Sequence, residues 1–119
     1  MNMTQRSALV DQLLATYRPK FPEAAELGGQ VALDPDNLEF WVQYRPAVPG
    51  PIYSGGFYVS FEAVEQPNGR ELAAEGLEQL LAITKSNRLP ESDGGKAPAL
   101  IRLTVARGWE YLSGYQQQG

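Results

Sequence analysis

The sequence predicts an α+β, two-layer domain: a small, mainly antiparallel sheet packed against two amphipathic helices. Three observations carry this. Residues 4–17 and 70–86 place apolar side chains at three-to-four spacing, the period of a one-sided helix. Residues 38–45 and 57–65 alternate at period two and follow one another without a helix between them, so they pair antiparallel. A third alternating run, 99–108, follows the second helix. The order is α-β-β-α-β, with room for one or two extra short strands, and a length of 119 residues is that of a single domain spanning 1–119.

In "TQRSALVDQLLATY", 4–17, Leu9 or Val10, Leu13, Leu14 and Tyr17 form the buried stripe. Thr4 is the expected N-cap, and Pro19 ends the helix. "FPEAAELGG", 21–29, reads as a connector broken by Gly28 and Gly29, with space for one helical turn. "DPDN", 34–37, is turn chemistry. In "LEFWVQYR", 38–45, Leu38, Phe40, Val42 and Tyr44 face one way and Glu39, Trp41, Gln43 and Arg45 the other, which leaves Trp41 as the anomaly on a polar face.

"PAVPGPIYSGG", 46–56, holds three prolines and three glycines and is expected as a flexible loop, unable to be a central strand. "FYVSFEAVE", 57–65, is the next strand, with Phe57, Val59, Phe61 and Ala63 on one face. "QPNG" fits either a hairpin turn or a helix start in which Asn68 caps and Glu71 completes a capping box. The following stripe of Leu72, Ala73, Gly76, Leu77, Leu80, Leu81 and Thr84 decides for a helix, in which Gly76 lets the helix approach the sheet. "NRLPESDGGKAP", 87–98, is a polar, flexible loop. In "ALIRLTVARG" Ile101, Leu103 and Val105 share a face, and "WEYLSGY" either continues past a bulge at Gly108 or returns as a hairpin partner. Residues 116–119 are a frayed tail.

Ten basic and fourteen acidic residues give a net charge of −4, divided as −2 in residues 1–60 and −2 in 61–119. No basic arm is hidden in the total, and phosphate neutralisation is what nucleic-acid binding rests on. There is neither cysteine nor histidine, which excludes disulfides, thiolate zinc sites and the usual near-neutral proton shuttle. No apolar run has membrane-spanning length, and the N-terminus has no signal-peptide pattern. The expectation is a soluble protein made and used without secretion, with no cofactor and no metal.

"GGFYVSF", 55–61, nearly spells the aromatic strand that stacks RNA bases, but it is one residue short between its aromatics and lacks the leading basic residue. A one-residue change moves side chains to the opposite face. Phe57, Val59 and Phe61 therefore read as core. Asp34, Asp36 and Glu39 fail the calcium-loop spacing, because Glu39 and Arg45 stand at its sixth and twelfth positions. "YSGG" precedes a strand rather than a helix and lacks the phosphate-loop context. Ser54 has no histidine to activate it and no S-x-x-K spacing to Lys85 or Lys96. Glu39, Glu62 and Glu110 are candidate carboxylates for acid–base chemistry, yet each fits a solvent face equally well. The expectation is no enzyme.

The surplus is apolar and aromatic. Trp41 lies among Glu39, Gln43 and Arg45, Tyr58 between Gly56 and Ser60, and Val64, Trp109, Tyr111 and Tyr115 near strand ends. Tyr, Trp and Arg dominate protein–protein hot spots. The surplus also suits a second, smaller core under loop 46–56 or 87–98. On the first reading Trp41, Arg45, Tyr53, Tyr58, Trp109 and Tyr111 are interface residues.

The succession "ALVDQLLATY", "LEFWVQYR", "FYVSFEAVE", "RELAAEGLEQLLAIT" and "ALIRLTVARGWEYL" resembles the tail terminator proteins of long-tailed bacteriophages in element order, size and acidity. The resemblance covers most of the chain, apart from loop 46–56. It implies a homo-oligomer, a hexameric ring that caps the tail tube and joins it to the head–tail connector, located in the virion. Outside a phage the same chain would be cytoplasmic. Two alternatives stand beside it: a chaperone or adaptor that takes a client at its sheet edge, and a histidine-free small-molecule binder with its pocket beneath loop 46–56.

Overall fold

The computed structural model describes residues 1–33 and 36–112. Helix α1 (Met3–Tyr17) is followed by one 3-10 turn at Arg18–Lys20 and by strands β1 (Ala25–Leu33), β2 (Asp36–Tyr44) and β3 (Tyr53–Ser60). A single-turn helix α2 (Phe61–Val64) leads into α3 (Gly69–Lys85), and β4 (Ala99–Thr104) and β5 (Gly108–Tyr111) complete the described elements. The five strands lie in sequence order, so β3 is central. Every neighbouring pair is antiparallel except β3–β4, where α2 and α3 supply the crossover that a parallel pair needs. None of the helices among the described residues is long and apolar enough to cross a membrane.

The expected stripe of α1 is buried in full: Leu9, Val10, Leu13, Leu14 and Tyr17. Its cap is Asn2 rather than Thr4. Asn2 Oδ1 accepts from the Gln5 amide at 2.8 Å, and Gln5 Oε1 accepts from the Asn2 amide at 2.9 Å, a reciprocal box that starts the helix a residue early. In α3 Ala73, Gly76, Leu77, Leu80, Leu81 and Thr84 are buried as expected, joined by Ile83. Asn68 stands at the N-cap without a side-chain hydrogen bond.

The alternation of β2 also holds, with Leu38, Phe40 and Val42 buried. Phe40 stacks on Phe57 of β3 at 5.1 Å, and Trp109 of β5 meets Phe57 edge-on at 5.9 Å. Gly76 of α3 lies against the same ring. Phe57, Val59 and Phe61 belong to one core cluster with α1 and α3, so no aromatic of the "GGFYVSF" inner face is open to a base.

Four segments differ from expectation. The connector 21–29 gives way at Ala25 to β1, whose Gly28 and Gly29 are paired with Trp41 and Phe40. A Cβ on Gly28 would sit 2.6 Å from the Trp41 indole, so the glycine makes space for a cross-strand aromatic rather than breaking the chain. Strand 57–65 stops at Ser60, whose Oγ accepts from the Ala63 amide at 3.1 Å and caps α2. The loop expected over 46–56 ends at Ile52. Residues 53–56 enter the central strand, with Ser54, Gly55 and Gly56 buried. The prolines cease at Pro51, and the pair Gly55–Gly56 is tolerated because neighbours fill the inner space: Leu100 Cδ1 would lie 2.5 Å from a Cβ on Gly55. Strand 99–108 turns at 105–107, which leaves Val105 exposed and makes 108–111 the hairpin partner.

Loop 87–98 carries order of its own. Leu89 is buried, and the carbonyls of Pro90 and Pro98 accept from the amides of Ser54 at 3.0 Å and Gly56 at 2.9 Å. Between those two anchors residues 93–97 arch away from β3. The expected turn at 34–37 falls in part, and Tyr115 and the tail 116–119 entirely, outside the described residues.

Candidate functional site: a groove on the outer face of the sheet

Pairing registers assign each strand residue to a face. Glu39 is opposite Tyr58, Trp41 opposite Gly56 and Gln43 opposite Ser54. On β1, Gln30 and Gly28 oppose Glu39 and Trp41. Arg102 is beside Tyr58 and opposite Glu110. This outer face is the reverse of the one bearing Phe40, Phe57, Ile101 and Leu103, which α1 and α3 cover.

A groove of about 670 Å³ runs over the outer face. Trp41, Gly56 and Tyr58 form its floor, Gln30, Glu39 and Gln43 one side, and the stretch Gly95–Ala99 the other. Its shape follows from two glycines. The indole of Trp41 is laid over Gly28 on β1, and Gly56 on the other flank lets β3 approach the β2 backbone so closely that a Cβ there would overlap the Phe40 carbonyl oxygen. The arch is set by short-range turns: the Gly94 amide donates to Ser92 Oγ at 3.1 Å and the Gly95 amide to Asp93 Oδ1 at 2.9 Å, and Gly94 takes a positive φ of 91°.

The polar groups of this face are arranged in pairs. Gln30 Nε2 donates to Glu39 Oε1 at 2.9 Å, and Lys96 Nζ stands 3.8 Å from Glu39 Oε2. Lys96 is 80% exposed, so this ion pair is screened and contributes little. Arg102 Nε donates to Glu110 Oε1 at 2.9 Å and its NH1 group to the Tyr58 hydroxyl at 3.4 Å. The hydrogen bond from Arg102, with help from Arg107, holds the Glu110 carboxyl below the ordinary carboxylate range. Ser54 Oγ is buried at the edge of this face and meets no partner among the described residues.

The six sequence-derived interface candidates do not form one patch. Trp41 and Tyr58 both line the groove, half-buried. Arg45 is exposed just past the end of β2. Tyr53 lines a separate niche of about 130 Å³ with Tyr44, Pro46, Asn87 and Leu89. Trp109 points inward onto Phe57 and Gly76, and Tyr111, 45% exposed, lies on the edge strand opposite Ile101. The candidate carboxylates are dispersed: Glu39 and Glu110 sit on β2 and β5 with two strands between them, and Glu62 is on α2. Sequence reasoning did not place Gln30 or the stretch Gly95–Ala99 beside Trp41 and Tyr58. The only sign of the latter was its Gly-Gly pair, which also marks an ordinary loop.

Against known proteins the chain matches no family model, no curated protein and no solved structure, so its own geometry carries the functional argument.

Proposed function

We propose that this chain is a non-enzymatic subunit of a protein assembly, which binds its neighbours through the outer face of the sheet. The observation that carries the reading is the groove over Trp41 and Tyr58: two large aromatics held half-buried on a sheet face that no helix among the described residues covers. Aromatic anchors in a preformed concavity, ringed by polar groups, are the pattern of interface hot spots. The assembly we propose is a closed ring, in line with the resemblance to phage tail terminators, in which the subunit would join tail tube to connector.

Sedimentation velocity from low micromolar to near-millimolar concentration, followed by negative-stain imaging, tests this. The expected result is concentration-dependent association into discrete rings. A chain that remains monomeric throughout would sink the reading. The volume of the groove also falls within the roughly 300–1,000 Å³ usual for small-molecule sites, and Glu39, Gln30 and Lys96 converge on it. This favours ligand binding as a second reading, which thermal stabilisation by a metabolite panel would reveal.

A further inference from the structure

The most exposed large apolar side chain among the described residues is Val48, at 79%, with Ile52 nearby at 39%. Both belong to segment 46–52, Pro-Ala-Val-Pro-Gly-Pro-Ile, in which three of seven residues are proline. The segment doubles back tightly: a Cβ on Gly50 would lie 2.6 Å from the Ala47 carbonyl oxygen. A proline-braced turn loses little conformational entropy when it is buried. The chain therefore presents a stiff apolar knob to water, off the end of β2 and β3.

The groove is the complementary feature. It is apolar over Trp41, Gly56, Pro98 and Ala99, and no residue of 44–55 lines it. Knob and groove thus occupy different parts of the surface. Charge agrees with the match. Arg45, at the base of the knob, makes no ion pair among the described residues, whereas the groove rim carries the Glu39 carboxylate, held only by Gln30 and the exposed Lys96.

We propose that the groove receives the 46–52 knob of a second copy of this chain, with Val48 over Gly56 and against Trp41, and Arg45 near Glu39. A patch on one part of a molecule that fits a pocket on another makes a head-to-tail contact, which generates a ring where the rotation closes and a filament where it does not. The inference rests on the assembly reading above and supplies the contact that reading lacks.

Two variants test it in the full chain. Val48→Asp spoils the knob and leaves the groove. Ala99→Arg, on the strand residue beside Gly56, fills the groove, repels Arg45 and leaves the knob. Each is checked by circular dichroism for an unchanged melting temperature; Val48 is 79% exposed, so that variant stands even where Ala99→Arg folds poorly. Sedimentation is expected to show self-association of the parent chain weakened more than tenfold in either variant. An equimolar mixture of the two is expected to form dimers that grow no further, because one intact knob meets one intact groove. Should the parent assemble and Val48→Asp assemble equally well, the knob-in-groove contact is wrong and the assembly reading survives. Variants that fail to dimerise when mixed refute the head-to-tail pairing. A parent that stays monomeric overturns the assembly reading and this contact with it.

Discussion

Replacing Gly76 with alanine sets two well-defined effects against each other. The position is interior to α3, where alanine is favoured over glycine by about 1 kcal/mol. Propensity alone therefore predicts a more stable protein. The structure predicts the opposite. A Cβ at Gly76 would overlap Phe57 Cε2 and lie 2.7 Å from both Phe57 Cζ and Trp109 Cη2. Trp109 is on the edge strand and not fully buried, so it has more room to shift than Phe57. Phe57 cannot turn aside, being 1% exposed and stacked on Phe40. Forcing a methyl group into such packing costs about 1–3 kcal/mol, and the immobility of the ring puts this site at the upper end. The net expectation is a loss of about 2 kcal/mol, or roughly 8 °C in melting temperature for a domain of this size. Urea unfolding followed by tryptophan fluorescence measures it, with Trp109 reporting directly on the contact. A Phe57→Leu background, which removes the clashing ring edge, should turn the effect of Gly76→Ala neutral or stabilising. A stabilised single variant would refute the packing argument.

Three further outcomes follow from named contacts. Burial, the hydrogen bond to Glu78 at 2.8 Å and the charge of Glu78 push the Tyr17 hydroxyl up to about 12 from 10.0; its contribution is complete below pH 10 and is lost as pH rises towards 12, at roughly 3 kcal/mol for a shift of this size. Alkaline unfolding of Tyr17→Phe should lack that decline, and parallel curves for the two proteins would refute the assignment. At the other extreme, the N-terminal ammonium and then Arg6 hold the Glu65 carboxyl below its ordinary value, so its contribution is present above the ordinary carboxylate range and is lost as pH falls through the lowered value. Acetylating the N-terminus should move the Glu65 carbon-13 titration back up. Finally, Ser54→Ala deletes a buried hydroxyl that has no partner among the described residues, and it should be neutral or stabilising by up to about 1 kcal/mol in urea unfolding, where a clear loss would mean that the hydroxyl is bonded.

Much of the fold was legible because most elements carry their own period. The stripe Leu9, Val10, Leu13, Leu14, Tyr17 and the alternation Leu38, Phe40, Val42 need no knowledge of what lies opposite. Strand β1 was illegible for the converse reason. In "AELGGQVAL" the inward positions are Leu27, Gly29 and Val31, and Gly29 is small only because Phe40 and Val10 occupy the space above it. A glycine that answers a cross-strand aromatic looks, in one dimension, like a glycine that breaks a chain. The end of β3 was hidden by degeneracy: Phe61 and Ala63 continue the strand period, yet Phe61 and Val64 equally satisfy a helical one, and the Ser60 cap decides between them. Of the site, Trp41 and Tyr58 were legible as aromatics on a polar face. The Gly95–Ala99 wall was not, since its place depends on Pro90 and Pro98 anchoring to the amides of β3.

The adjacent glycines of the central strand give the outer groove its significance. Gly55 and Gly56 point to opposite faces of the sheet and are equally bare. On the inner face the chain fills the vacancy itself, with Leu100 and Leu89 closing on Gly55 to the limit of contact. The β3–β4 register shifts by one residue beside Gly56, and that irregularity brings both Leu100 and Ile101 into the core. On the outer face the β2 backbone at Phe40 closes on Gly56, and no core side chain fills in beyond it. Trp41 leans away over Gly28, the arch is set by its own turns, and a groove lined by Gly56 runs between them. Protein interiors close-pack to the density of crystals, and this chain does so wherever α1 and α3 reach. An aromatic-floored groove on the one face they do not reach, in a chain that also displays a stiff apolar turn, is therefore where a second surface is to be sought. Val48→Asp is the single substitution that asks whether that surface belongs to another copy of the same chain.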